Sequence, residues 1–179
     1  MKKISALFLL FTLIIGTLYA QEMIIPKSQT TKKMQESGIV LPHAPAPVGS
    51  YVPYKRVGNL IFINQVSLVD GKILTPGVIG EGVTEEQAKQ ATRQAMLNVV
   101  AVLNQALDGD LDRVKQAVQM TGIFNTSKGY TQHAVLMNEG SSLLIDIFGE
   151  RGVHTRATFG ASSLPIDSPV EIQAIFEVE

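Results

Sequence analysis

Two residues near the C-terminus have the types and the spacing to handle a small acid. Arg156 sits in an alternating run, 155–162, and Glu171 in a second, Val170–Val178, with a Leu164-Pro165 turn between them. A guanidinium offers a planar fork of donors that matches a carboxylate. A carboxylate nearby can orient a water, or take its proton as general base once burial raises its pKa. Two strands joined through 162–169 would bring these side chains together across the fifteen positions that separate them. Recognition or hydrolysis of a small carboxylic acid is the chemistry such a pair would serve. A structural ion pair between the two residues meets the same pattern.

The other chemistry-bearing residues form no comparable constellation. His43, His133 and His154 lack metal-ligand spacing and have no carboxylate cluster beside them. His154 stands two positions before Arg156 and points to the same face of its strand. Gly77, Gly80 and Gly82 lack the lysine and the strand-to-helix setting of a phosphate loop, and read as loop residues bordering a cleft. Ser141 and Ser142 have no visible base partner and read as the start of a helix. No cofactor is implied.

The chain has 179 residues and no cysteine, which excludes disulfides, thiolate chemistry and cysteine-bound metal. Lys2 and Lys3, an apolar 4–15 and a short end at Ala20 read as a secretory signal peptide over 1–20. The apolar run falls short of the roughly 20 residues that span a bilayer, so an exported protein, periplasmic or secreted, with no membrane anchor after cleavage is expected. About 160 residues then remain, the size of one domain. The apolar content of 45% supports a core, and a formal net charge of −1 with no basic stripe argues against a nucleic-acid partner.

The elements that must position Arg156 and Glu171 follow from periodicity. Residues 21–40 are polar and read as a leader or linker, and prolines 42, 45, 47 and 53 predict an extended approach. Strands are predicted at 51–57 and 60–65 around a Gly58-Asn59 turn, with a short third at 72–74. A helix at 84–107 carries an apolar stripe of Ala88, Ala91, Ala95, Val99, Val102, Leu103 and Ala106, with Thr84 and Gln87 placed for a capping box and Gly109 for the stop. A strand at 114–124, a second helix within 132–148 and the two C-terminal strands complete a β-β-β-α-β-α-β-β order. An α+β fold with a mixed sheet and both helices on one face satisfies two-layer packing. The other face, with Glu171, Gln173 and Ile175, is too mixed for a core or for plain solvation, and suggests subunit association around a polar interior.

The segments at 49–51 (GSY), 58–72 (GNLIFINQVSLVDGK), 155–165 (TRATFGASSLP) and 170–178 (VEIQAIFEV) together resemble the Rid family of reactive intermediate deaminases, also called YjgF or endoribonuclease L-PSP. The resemblance covers 41–179 and is nearest a divergent, here exported, branch marked by LDRVKQAVQMTGIFN and FGERGVHTRATFG. It implies a chorismate-mutase-like fold, a homotrimer and a ligand cleft at each subunit interface. It further implies Arg156 as carboxylate anchor, Glu171 as the residue of the attacking water, Tyr51 as the side chain closing the pocket, and no resident cofactor. Asn64 stands where the deaminases carry glycine, Thr158 where they often carry cysteine, and Gln173 at a second acidic position. The leading expectation is an enamine/imine deaminase acting through Glu171 and Thr158, with Arg156, Tyr51 and Asn64 binding a small carboxylate-bearing ligand. The alternative is a non-catalytic trimer that binds such ligands. Neutral charge and the lack of a paired catalytic histidine and of a basic groove disfavour endoribonuclease activity.

Overall fold

The computed structural model describes residues 28–179, so the expected signal peptide and residues 21–27 of the leader lie outside the described residues. Part of the expected linker is helical: α1 spans Gln29–Glu36. Its apolar content is low, and it holds its place through a carboxylate distant in sequence. Asp112 accepts hydrogen bonds from the Gln29 and Thr30 amides (2.7 and 2.9 Å) and from the Thr30 hydroxyl (2.6 Å). Those amides are among the orphan donors of the first turn. Met34 and Ile39 then bury against the main core.

The chain continues through β1 (Tyr54–Val57), β2 (Leu60–Val66), β3 (Leu68–Val69), β4 (Lys72–Ile73), β5 (Val78–Ile79) and β6 (Gly82–Val83). It then forms α2 (Glu85–Ala106), β7 (Val114–Asn125), α3 (His133–Phe148), β8 (Thr155–Ala161) and β9 (Val170–Val178). The principal sheet is β1-β2-β9-β7-β8, antiparallel except for the β7–β8 pair. The strand predicted at 72–74 stays outside this sheet and pairs with β3 in a two-stranded ribbon. Gly58 supports the tight β1–β2 loop with a φ of 57°.

Helix α2 starts at the predicted capping box, with Gln87 N donating to Thr84 Oγ1 and Thr84 N to Gln87 Oε1. Its alanine and valine stripe is buried against the sheet, with Ala106 at the edge of that contact. In α3, Gly140 does not interrupt the helix. A Cβ there would lie 3.2 Å from Met96 of α2, so the glycine permits close helix–helix contact. Both helices cover one face, where Ile61, Ile63, Met120, Phe124, Ile172 and Phe176 form the core. The opposite face carries Phe62, Asn64, Gln173 and Ile175 and is covered by no helix among the described residues.

Candidate functional site

A cleft of about 570 Å³ lies where the proline-rich arm crosses the open face of the sheet. The arm cannot form a helix, because its prolines fix φ and lack amide donors, and it presents Pro45, Pro47, Val48 and Tyr51 to the cleft. The floor comes from β2 and β9. Strand alternation turns Phe62, Asn64 and Val66 to this face while Ile61 and Ile63 enter the core. Beneath the cleft, the buried Asn98 of α2 donates to the Val66 and Leu68 carbonyls (2.9 and 3.0 Å), fixing the point where β2 leaves the sheet.

Tyr51, Asn64 and Glu171 all line this cleft. Tyr51 is 60% exposed, and its hydroxyl accepts from the Val48 amide at 3.4 Å. Asn64 is opposite Gln173 on β9, so two amide side chains stand where the resemblance implied a glycine and an acid. Glu171 is half-buried between Val66 on β2 and Ile123 on β7. Burial pushes its pKa above the usual carboxylate value, and it has no hydrogen-bond or ionic partner among the described residues. A carboxylate in such a setting is poised to bind a cation, a proton or a water.

Arg156 and Thr158 stand elsewhere. They are opposite Met120 and Gly122 of β7, whose side of the sheet faces the helices. β8 is not the hairpin partner of β9, because β7 lies between them. The sequence expectation that a turn brings Arg156 beside Glu171 is therefore corrected: within one subunit they occupy opposite faces, two strand spacings apart. β9 pairs with β2 and β7, while β8 runs parallel to β7 and keeps the sheet edge.

Arg156 is exposed on this edge strand and rests on α3, with Nη1 donating to Ser141 Oγ (3.2 Å) and Nη2 to the Ala134 carbonyl (3.3 Å). Both acceptors are neutral, and no acid pairs with this guanidinium among the described residues. His154 joins the group, its Nε2 lying 3.1 Å from Ser141 Oγ. The strand position did place His154 on the face of Arg156. The expectation that Ser141 starts a helix and has no base partner is corrected: Gly140 resembles a helix break in sequence, but Ser141 lies more than two turns into α3, with the His154 ring in reach. Among the described residues no cluster of three His, Cys, Asp or Glu could hold a metal ion, and no helix is long and apolar enough to cross a membrane.

A mixed sheet with two helices on one face and an open, cleft-bearing opposite face defines a chorismate-mutase-like α+β protein. The chain belongs to the family described as "YjgF/chorismate_mutase-like, putative endoribonuclease", which matches residues 31–178. It is 32% identical over 157 residues to Protein TCP17 of Trypanosoma cruzi, covering 87% of this chain and 98% of that protein. It is 30% identical over 142 residues to a RutC family protein of Pyrococcus abyssi, covering 79% and 97%. The crystal structure of Atu1372, a protein of unknown function from Agrobacterium tumefaciens, superposes with a TM-score of 0.77 at 31% identity, covering 84% of this chain and 93% of that one.

Proposed function

We propose that this protein hydrolyses 2-enamino or 2-imino acids to 2-keto acids and ammonia, in a pocket completed when copies associate as a homotrimer. Arg156 of one subunit, with Thr158 beside it, supplies the carboxylate anchor. Glu171, Tyr51 and Asn64 of the adjoining subunit supply the cleft. The observation that carries this reading is Glu171, a half-buried carboxylate with no partner among the described residues, lining a cleft of about 570 Å³. The open face also supports association, because it leaves Phe62, opposite Ile175, at 39% exposure and Phe159, opposite Ile123, at 48%.

The chemistry follows from these roles. Arg156 holds the carboxylate, and an enamine first tautomerises to the imine, a proton adding at C3 as another leaves the nitrogen. Glu171 takes a proton from water as the water oxygen bonds to C2 and the C=N π electrons move to nitrogen. Glu171 returns that proton to the nitrogen, giving the carbinolamine, and the new hydroxyl's proton then passes to the nitrogen as the C–N bond breaks, so that ammonia leaves and the C2 carbonyl forms. The raised pKa of Glu171 supports its taking the proton from water. The signal peptide expected over 1–20 would place the reaction in the periplasm or the medium.

A second reading, a non-catalytic trimer that binds small carboxylates, is favoured by Asn64, whose side chain occupies floor space that a glycine would leave open. One assay separates the two. An amino acid oxidase generates 2-iminobutyrate in the presence of semicarbazide, and semicarbazone formation is followed with and without the protein. Faster loss of imine, abolished in Arg156→Ala and Glu171→Gln, is the expected result. Unchanged imine hydrolysis with Arg156-dependent binding of 2-oxobutyrate would overturn hydrolysis in favour of binding.

A further inference from the structure

We infer that Ser141 and His154 form a positioning pair that holds the Arg156 guanidinium ready for a carboxylate. The inference rests on Arg156 being the anchor proposed above, and adds two residues that touch the reacting molecule only through it.

The order of the network can be read from its atoms. His154 Nδ1 lies 2.7 Å from the Gly152 carbonyl, an acceptor, so Nδ1 carries a proton and donates it there. In the neutral ring Nε2 is then an acceptor, and the Ser141 hydroxyl donates to it across 3.1 Å. With its proton directed at His154, Ser141 Oγ turns a lone pair to Arg156 Nη1 at 3.2 Å. The Ala134 carbonyl takes Nη2 at 3.3 Å, so both terminal nitrogens are tied to α3.

The far end of the network is rigid. Gly152 is buried against α3 so closely that a Cβ there would come within 2.2 Å of the Leu144 carbonyl oxygen. The carbonyl that selects the His154 tautomer is thereby fixed to the same helix that carries Ser141. A serine inside a helix otherwise tends to return its proton to the carbonyl four residues back, and His154 supplies the competing acceptor.

The consequence for binding is entropic. An unsupported arginine on an edge strand samples many rotamers, and a ligand that captures it must immobilise it. Here two hydrogen bonds to α3 hold the guanidinium before the ligand arrives, while every acceptor used is neutral and the positive charge remains uncompensated. Ser141 and His154 thus contribute to carboxylate affinity without contacting the carboxylate.

Two readouts test this. The hydrogen–nitrogen heteronuclear NOE of the Arg156 Nε–H group reports its order without any ligand, and titration with 2-oxobutyrate reports affinity. In Ser141→Ala and His154→Ala the NOE is expected to fall to that of free surface arginines. The dissociation constant should rise about threefold to tenfold, the cost of immobilising one long side chain. Ser141→Thr, which keeps the hydroxyl, should retain both values. An unchanged NOE in both alanine variants overturns the inference, as does a lowered NOE with unchanged affinity. If Arg156→Ala itself binds 2-oxobutyrate as the wild type does, the anchor reading fails, and the NOE still shows whether the pair orders the side chain.

Discussion

Arg156 and Glu171 stand on opposite faces of one sheet, Arg156 beside Met120 towards the helices and Glu171 beside Ile123 on the open side, with β7 between their strands. A single subunit cannot close this pair around a small acid. Any chemistry that uses both residues needs a second copy, and each element of the cleft then has a separable consequence.

Glu171→Gln should abolish imine hydrolysis by about 100-fold or more, the usual contribution of a positioned general base, without loss of stability. Burial raises the folded pKa of Glu171 above its ordinary value. The folded state therefore favours the protonated form, and stability declines as pH rises from the ordinary carboxylate range through the raised folded value. The Gln variant lacks that decline. Thermal melts at pH 4 and pH 7 should show its advantage over wild type only at pH 7, by on the order of a degree.

Asp112→Ala should release α1 and cost about 1–2 kcal/mol, as loss of a helix-capping acceptor does. Burial opposes ionisation of Asp112, but the Thr30 side chain, the Thr30 and Gln29 amides and the Arg151 charge together hold its pKa below the usual value. Its stabilising effect is present above the ordinary carboxylate pKa and is lost as pH falls through the lowered folded value. Denaturant unfolding of wild type and variant should accordingly converge in acid.

How much of this was legible in the sequence depended on the range of the interactions. β9 matches its predicted span and α2 its capping box, because alternation and capping are written within a few residues. α1 was hidden because its acceptor, Asp112, is more than eighty positions away. The Arg156–Glu171 hairpin failed because adjacency in sequence suggested pairing, whereas β9 inserts between β2 and β7 and leaves β7 between it and β8. Tyr51, Asn64 and Glu171 do line one cleft, while Arg156 and Thr158 lie on the other side.

Phe62→Asp should dissociate the proposed trimer and leave the chain folded. Phe62 points away from the core and is 39% exposed, so an acid there is tolerated by the monomer and would be opposed by burial between copies of the proposed trimer. Light scattering should report a trimer for wild type and a monomer for the variant, with unchanged circular dichroism.

Gly152→Ala should destabilise by about 3 kcal/mol, at the upper end of overpacking costs, because the new methyl would meet the Leu144 carbonyl. Denaturant titration measures it, and a neutral result would show that the 149–152 turn can move away from α3.

The shared pocket is tested most directly by mixing two inactive variants. Arg156→Ala and Glu171→Gln chains, unfolded together in equal amounts and refolded, should regain about a quarter of wild-type imine hydrolysis. In a ring of randomly assorted copies, about a quarter of the interfaces pair an intact Arg156 with an intact Glu171 from the next chain. Activity no greater than that of the separate variants would contradict a site built from two subunits.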